Sequence, residues 1–317
     1  MPIIFGKAPG KIILFGEHAV VYGQPAIAIP VMNVNATAKI FPEINAKPGS
    51  VHLHAPEIHL DAELNNLPDE NPLAAAVHQT LEALALERTP AMTIQISSTI
   101  PVSAGMGSSA AISIAIIKAL SAFLGSPLPP EEISDLAYEV EKLHHGTPSG
   151  IDNNVIAHQK PVYFKRNKPI EFLNVDNITH WMIADTGEQT PTYETVSAVR
   201  ALHAADSETY DHIFGEIGAL VQHARPVLIQ GDLTALGWLM NENQRLLEKL
   251  NVSSRQNERL VQAARKAGAA GAKLSGGGQG GNIIALSAQD RVNTIEEALI
   301  DAGAVRVIKT RLMPDKL

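Results

Sequence analysis

The amino-acid sequence predicts an α+β protein of two domains, on three observations. About the first hundred residues alternate apolar and polar positions and are rich in β-branched side chains, which is typical of strands. From about residue 194 the pattern changes to long helices, followed by a glycine run between two short apolar stretches. A chain of 317 residues is also long for one domain and short for three. We therefore predict one domain over residues 1–180 and a second over residues 181–317.

Strands and helices are predicted in turn along the first domain. Strand patterns occur in KIILFG, AIAIPV, ATAKIF and AMTIQISS. One helix is predicted in ENPLAAAVHQTLEALAL, and a second from near Ser108 to Gly125, because glycine often follows the end of a helix. The segment SPLPP then interrupts the chain and precedes a third helix, EEISDLAYEVEKLHH.

The third helix carries an acid beside its apolar face. Its buried stripe is expected at four apolar residues with helical spacing, Ile133, Leu136, Val140 and Leu143. Glu141 flanks this stripe on the Ala137 side, so it can reach the edge of a pocket. A glutamate on a helix is more often solvated, and the spacing alone leaves both interpretations open.

The second half of the chain mixes strands, long helices and a glycine-rich segment. Strands are predicted in KPVYFK, HWMIADTG and RVIKTRL, and helices over residues 194–250 and 256–267. The segment KLSGGGQGG, residues 273–281, is unusual because each glycine in an ordered element costs about 0.5–1 kcal/mol relative to alanine. A flexible hairpin tip is one interpretation, but the flanking apolar runs favour a packed loop whose backbone is approached closely.

Composition excludes several classes of function. The formal net charge is −8, from 33 acidic residues against 25 Lys plus Arg, which disfavours binding to nucleic acid or to an anionic membrane surface. The absence of cysteine removes disulfides, thiolate nucleophiles and cysteine-type zinc sites. No signal peptide is evident, and the segment AAISIAIIKALSAFLG is too short to span a bilayer. We expect a soluble cytoplasmic protein.

The segment PVSAGMGSSAA, residues 101–111, leads from a predicted strand into a predicted helix. Its glycines let backbone amides approach an oxyanion, the helix N-terminus adds partial positive charge, and its serines can reach a phosphate or a metal. Serine and glycine also simply cap helices, so this segment alone leaves a phosphate cradle and a cap open. GSSAA loosely mimics the G-x-S-x-G turn of serine hydrolases, but the final glycine is missing.

Two further segments present isolated polar residues. APGKIILFGEHAVVYG imitates a Walker A loop only through its Gly-Lys pair, because no glycine lies five residues before Gly10 and isoleucine follows Lys11. What remains is Lys11 at the start of a strand, with Glu17 and His18 after a glycine turn, and such residues are usually on the surface. HGTPSGIDN reads as a helix stop and a turn, or as a device that delivers Asp152 into a pocket.

Taken together, these segments resemble the GHMP kinases, named for galactokinase, homoserine kinase, mevalonate kinase and phosphomevalonate kinase. The three glycine-bearing motifs of the family occur in order and span nearly the whole chain. The resemblance implies an N-terminal domain like ribosomal protein S5 and a ferredoxin-like C-terminal domain. It also implies an ATP-binding loop at Pro101, Ser103, Ala104, Gly105, Met106, Gly107, Ser108 and Ser109.

Within the family, the opening segment and HGTPSGIDN are most similar to the members that phosphorylate mevalonate. The resemblance implies ATP-dependent phosphorylation of the C5 hydroxyl of mevalonate to 5-phosphomevalonate, in isoprenoid biosynthesis. It implies Asp152 and Lys11 as catalytic residues, and Mg²⁺ held by Ser109 and Glu141, with Ser108 as the alternative serine. Substrate contacts are implied at Glu17, His18, Thr192 and Gly277. A homodimer stays open, since the sequence is silent on oligomeric state.

Other interpretations stay open on the sequence. Thr192 is equally placed to cap a helix that begins near Glu194. Ile112 stands where some family members place a tyrosine by the substrate, so contacts on that side are undefined. Phosphomevalonate kinase, mevalonate 3-kinase and diphosphomevalonate decarboxylase share the fold, but a phosphorylated substrate calls for extra cations that GEHAVVYG and DTGEQTPTYET lack. A non-catalytic binding protein would be expected to have lost Lys11, Glu141 or Asp152.

Overall fold

The computed structural model describes residues 4–86, 89–101, 105–145, 148–188 and 190–314, without the side chains of residues 144 and 145. The chain groups into two compact units. The first unit comprises Met1–Lys11, Val34–Pro101 and Met106–Gln159, and the second comprises Ile12–Asn33, Val102–Gly105 and Lys160–Leu317. The predicted division into residues 1–180 and 181–317 stays a prediction.

The first unit contains a mixed β-sheet. Its strands are β1 (Ile4–Phe15) and β2 (Ala26–Pro42), which contribute residues to both units, and β3 (Val51–Ala55), β4 (Leu60–Glu63) and β5 (Met92–Ser98). The strand order is β4-β3-β5-β2, and β1 also pairs with β2. Strand β5 runs parallel to β3 and antiparallel to β2, so that Ile94 lies opposite both Leu53 and Ile40. All three side chains are fully buried and form part of the core.

Four helices complete the first unit: α1 (Pro72–Ala83), α2 (Ser108–Phe123), α3 (Pro130–His145) and α4 (Ile151–His158). Helix α1 begins where the sequence supplies a cap, because the Asn71 side chain accepts hydrogen bonds from the amides of Leu73 and Ala74. Helix α2 contacts α1, α3 and α4. It is apolar on most sides, as expected for a helix enclosed by others.

The second unit is built on an antiparallel sheet. Its strands are β6 (Val162–Phe164), β7 (Glu171–Phe172), β8 (Thr179–Asp185), β9 (Gly271–Ser275), β10 (Asn282–Ser287) and β11 (Arg306–Leu312). The last four form a sheet in the order β11-β8-β10-β9, and every neighbouring pair in it is antiparallel. The glycine-rich segment therefore joins the two strands of the β9–β10 hairpin.

Helices of the second unit are α5 (Thr192–Ala205), α6 (Ser207–Gln230), α7 (Leu233–Lys249), α8 (Arg255–Lys266) and α9 (Val292–Asp301). Asp206, Asp232 and Ser254 cap α6, α7 and α8 through side-chain hydrogen bonds to backbone amides. Helices α8 and α9 pack on the four-stranded sheet through a buried cluster that includes Met182, Leu260, Ile283, Ile295 and Leu299. Within the described part of the chain, no helix combines the length and apolar character that a membrane crossing requires.

The α+β class is confirmed, and the helices predicted near Ser108 and in EEISDLAYEVEKLHH are present. The predicted stripe on α3 is partly wrong, because Leu143 is 52% exposed and Leu136 is only half-buried. The face that is buried instead carries Ile133, Ser134, Ala137, Val140 and Glu141. Glu141 thus lies within the buried face and does not flank it.

Candidate active site

The N-terminus of α2 forms an anion cradle in the first unit. Gly107 occupies the cap position in the left-handed conformation (φ 69°), and no side chain among the described residues caps the helix there. The first amides of α2 therefore keep their capacity to bind an anion. The interpretation of the serines as caps is wrong, since Ser108 and Ser109 lie inside the first turn. Ser103 and Ala104 lie outside the described residues, next to Pro101 and Gly105.

Lys11 and Asp152 meet beside this cradle. Lys11 lies well inside β1, not at its start, and its amide donates to the carbonyl of Met106 at 3.0 Å. Its Nζ lies 3.0 Å from Asp152 Oδ1, and the two side chains are 10% and 31% exposed. Gly107 packs against both, because a Cβ placed on it would lie 3.0 Å from Lys11 Cγ and 3.3 Å from Asp152 Oδ2.

Asp152 reaches this position from a helix that the sequence reading did not anticipate. The helix stop predicted in HGTPSGIDN is present, since α3 ends at His145, but Asp152 lies in the first turn of a further helix, α4, and not in a turn. Gly150 in the left-handed conformation (φ 83°) precedes that helix. The N-terminal end of α4, with its partial positive charge, therefore lies beside the Asp152 side chain.

Ser109 and Glu141 form a second pair in the first unit. Ser109 Oγ donates a hydrogen bond to Glu141 Oε1 at 2.7 Å, which joins the first turn of α2 to the end of α3. Glu141 is only 6% exposed, as its place on the buried face of α3 requires. The pair presents oxygen atoms alone, which are the ligands that Mg²⁺ prefers.

The other predicted residues gather in the second unit. His18 follows β1 in a turn, and its Nε2 lies 2.9 Å from the carbonyl oxygen of Gly277. Because a carbonyl only accepts, Nε2 carries the proton, and Nδ1 of the neutral ring is an acceptor. Burial lowers the pKa of His18, although the bond to Gly277 opposes this, so the neutral form is favoured.

Gly277 in turn lies against the start of α5. A Cβ on Gly277 would lie 2.8 Å from Thr195 Oγ1 and 3.4 Å from Thr192 Cα, so only glycine fits without displacement. Thr192 is the first residue of α5, and the cap position is Pro191. The prediction of Thr192 as a helix cap is therefore wrong by one residue.

Glu17 pairs with a residue that no motif in the sequence indicates. Lys273 on β9 donates hydrogen bonds to Glu17 Oε1 and to the carbonyl of Leu274, and the Glu17 and Lys273 side chains are 1% and 0% exposed. Burial raises the pKa of Glu17 and lowers that of Lys273, and each charge opposes the shift of the other. The only signal in the sequence was a lysine between apolar residues just before the glycine run.

The glycine loop between β9 and β10 is packed, as the flanking apolar runs predicted. Gly280 exchanges two hydrogen bonds with the Asn257 side chain, each 3.0 Å long. The Gly281 amide donates to the carbonyl of Glu188 at 2.8 Å, and the Gln279 amide donates to that of Val252 at 2.6 Å. The alternative of a flexible hairpin tip is wrong.

Two family models match this chain: the GHMP kinases N terminal domain over residues 71–159 and the GHMP kinases C terminal over residues 224–305. The chain belongs to the GHMP kinases, which confirms the resemblance drawn from the motifs. Membership of this kinase family implies the use of ATP.

The similar proteins include several mevalonate kinases. That of Thermococcus gammatolerans is 36% identical over 96% of this chain and 95% of its own length. The crystal structure of the Methanococcus jannaschii mevalonate kinase has a TM-score of 0.85 at 30% identity and covers 98% of this chain and 99% of that chain. The L. major mevalonate kinase in complex with R-mevalonate has a TM-score of 0.83 at 28% identity, over 100% and 97% of the two chains.

Proposed function

We propose that this protein transfers the γ-phosphoryl group of ATP to the C5 hydroxyl of mevalonate and so produces 5-phosphomevalonate for isoprenoid synthesis. The observation that carries the proposal is the Lys11–Asp152 pair, 3.0 Å apart and packed against Gly107 at the anion-binding end of α2. The names of relatives that are 33–36% identical over at least 94% of this chain support the choice of substrate.

Phosphoryl transfer mainly requires that the protein position the two reactants and stabilise the charge that develops between them. In this proposal the amides at the start of α2 and of Gly105, Met106 and Gly107 hold the phosphates. Asp152 accepts a hydrogen bond from the attacking hydroxyl, orients it and takes up its proton as the new ester forms. Lys11 holds Asp152 in position through their ion pair and stabilises negative charge on the transferred group.

The residues present fit a magnesium ion. The described residues hold no cluster of three or more His, Cys, Asp or Glu side chains that could bind a metal. These residues therefore do not form a metal site from such side chains alone. Magnesium usually keeps several waters and binds through one or two carboxylates together with substrate phosphates. Ser109 and Glu141 would supply the protein oxygens. Bound there, Mg²⁺ would supply positive charge to the phosphates of ATP.

The residues of the second unit favour a substrate that carries no phosphate. Neutral His18 offers Nδ1 as an acceptor, and Thr192 lies beside the Gly277 backbone that His18 also contacts. The cation next to these residues, Lys273, is fully buried and paired with Glu17. A phosphate on the substrate would find no unpaired cation among these residues, which favours mevalonate over its phosphorylated derivatives.

The test is an ADP-release assay with ATP and Mg²⁺ and four candidate acceptors: mevalonate, phosphomevalonate, homoserine and galactose. We expect ADP release with mevalonate, and a new phosphorus NMR signal coupled to the C5 methylene protons. A phosphate on the tertiary C3 oxygen would show no such coupling and would indicate a mevalonate 3-kinase. Release with homoserine and not with mevalonate would overturn the proposal.

A further inference from the structure

Lys273 and Glu17 form a buried ion pair that joins two segments far apart in the chain. Lys273 lies in β9, directly before the glycine loop, and Glu17 lies in the turn that follows β1. Neither side chain is more than 1% exposed. Removing two charges from water costs more than most ion pairs return, so such a pair is seldom present for stability alone.

The turn that contains Glu17 is conformationally strained. His18 has a φ of 59° and a ψ of −49°, in a region that non-glycine residues rarely occupy. Strain of this kind persists only where surrounding contacts hold it. Gly16 before it packs closely on Pro25, since a Cβ there would lie 2.5 Å from the Pro25 carbonyl oxygen.

Three contacts pin this turn and the end of β1 to β9 and the glycine loop. Ser275 Oγ donates to the Ile13 carbonyl at 2.6 Å, and His18 Nε2 donates to the Gly277 carbonyl at 2.9 Å. The Lys273–Glu17 pair is the charged contact of the three, and it adjoins His18 in the chain. Strain at His18 is therefore held from both sides, by Lys273 through Glu17 and by Gly277.

Glu17 is poorly placed to touch a ligand itself. Its Oε1 accepts from Lys273, and its Oε2 is buried without a hydrogen-bond partner among the residues that the structure describes. A carboxylate that is 1% exposed offers no surface to a substrate unless the turn opens.

We propose that Lys273 is a positioning residue, which locks Glu17 and thereby holds His18 in its strained orientation, so that Glu17 serves the lock and does not contact the substrate. This inference deepens the proposed function and rests on it for the identity of the substrate. It assigns a substrate contact to His18 and the alignment of His18 to the buried pair.

The test is a double-mutant cycle with Lys273→Met and Glu17→Gln, which change charge while largely keeping volume. Each single variant leaves one buried charge without its partner, so the turn shifts, and KM for the acceptor alcohol rises at least about tenfold while KM for ATP changes little. The double variant lacks the same lock, so we expect its KM to stay within about threefold of the single-variant values and not to multiply their defects.

Either of two outcomes overturns the inference when the single variants fold. Defects that multiply in the double variant would show that Glu17 and Lys273 act independently, as expected if Glu17 contacts the substrate directly. Single variants that lower the melting temperature and leave KM unchanged would show that the pair is purely structural. If the single variants do not fold, the double variant, which leaves no buried charge unpaired, is compared with wild type: the lock predicts a raised KM, and a wild-type KM overturns it. Lys309→Met, in an exposed Lys–Glu pair of the same unit, is the matched control and should leave KM unchanged.

A readout without turnover separates this inference from the proposed function. The Nε2 proton of His18 should exchange slowly with solvent in wild type and faster in both single variants and in the double variant. A His18→Gln variant identifies its NMR signal. If the wild-type enzyme phosphorylates another acceptor and not mevalonate, the cycle is run with that acceptor. Unchanged exchange in all variants would refute the lock whatever the substrate is.

Discussion

A methyl group on Gly107 would reach the Lys11–Asp152 pair, and the effect of adding one can be worked out from the structure. In Gly107→Ala the new Cβ would lie 3.0 Å from both Lys11 Cγ and Ile156 Cδ1, and 3.3 Å from Asp152 Oδ2. Contacts this short require the neighbours to move by a few tenths of an ångström. Gly105→Ala is the matched control, because its φ of 66° is nearly the same as the 69° of Gly107, and its Cβ would meet nothing within 4 Å.

Both variants bear the same backbone strain, of about 1–2 kcal/mol for a non-glycine residue in the left-handed region. At about 2–4 °C per kcal/mol, both should therefore show similar losses of melting temperature. Only Gly107→Ala should also displace the reacting groups, so we expect its kcat to fall roughly 10–100-fold. For Gly105→Ala the loss of kcat should stay within about threefold, since its amide is kept.

The assay measures ADP release at saturating substrates together with thermal unfolding of both variants. Equal losses of kcat in the two variants would refute the reasoning, because strain alone would then account for the effect. An unchanged kcat in Gly107→Ala would equally contradict the close packing of Gly107 against the pair.

Three further predictions follow from the same contacts. Lys11→Met should lower kcat at least about a hundredfold and change KM for ATP by no more than about threefold, because it removes charge stabilisation and not phosphate binding. Steady-state kinetics measures both constants. A raised KM for ATP with an unchanged kcat would show that Lys11 only binds ATP. Glu141→Gln should raise the Mg²⁺ concentration required for half-maximal activity, measured by titration, and an unchanged requirement would remove Glu141 from the metal site. The pKa of His52 is raised chiefly by its hydrogen bond to Asp61, so His52 stabilises the fold below its unfolded pKa of about 6.5 and loses that effect as pH rises through its folded value. His52→Gln should therefore lower the melting temperature more at acidic than at alkaline pH, and a pH-independent difference would contradict this.

Much of the site could be predicted because its signals are local. The anion cradle combines a helix start with glycines that its backbone angles require, and both are visible within eleven residues of sequence. The strand RVIKTRL is present over the predicted residues, Arg306–Leu312, where buried and exposed side chains alternate from Ile308 onward. Glu141 was recognised through its spacing from Asp152 in the family motif, not through helical periodicity.

Features that depend on contacts between distant parts of the chain could not be predicted from the sequence. Lys273 lies 256 residues from its partner, and no local pattern distinguishes a fully buried lysine from the usual solvated one. Helix α4 has only eight residues, too few for its periodicity to stand out from a turn. Leu143 matches the apolar period of α3, but it lies near the helix end, where it is exposed.

The predicted substrate residues also combine features that the sequence indicates with features that only the fold determines. His18 and Gly277 could be named from motif resemblance, yet the hydrogen bond between them and the strained backbone of His18 follow from the fold. The start of α5 was placed within two residues, although its cap is Pro191 and not Thr192. Boundaries of this kind depend on backbone geometry more than on residue type.

The most direct test of the central claim is the turnover of Asp152→Ala with saturating ATP, Mg²⁺ and mevalonate. If Asp152 acts on the attacking hydroxyl, as we propose, kcat should fall by at least about a hundredfold while ATP binding and melting temperature stay close to wild type. Near-normal turnover by Asp152→Ala would contradict the account.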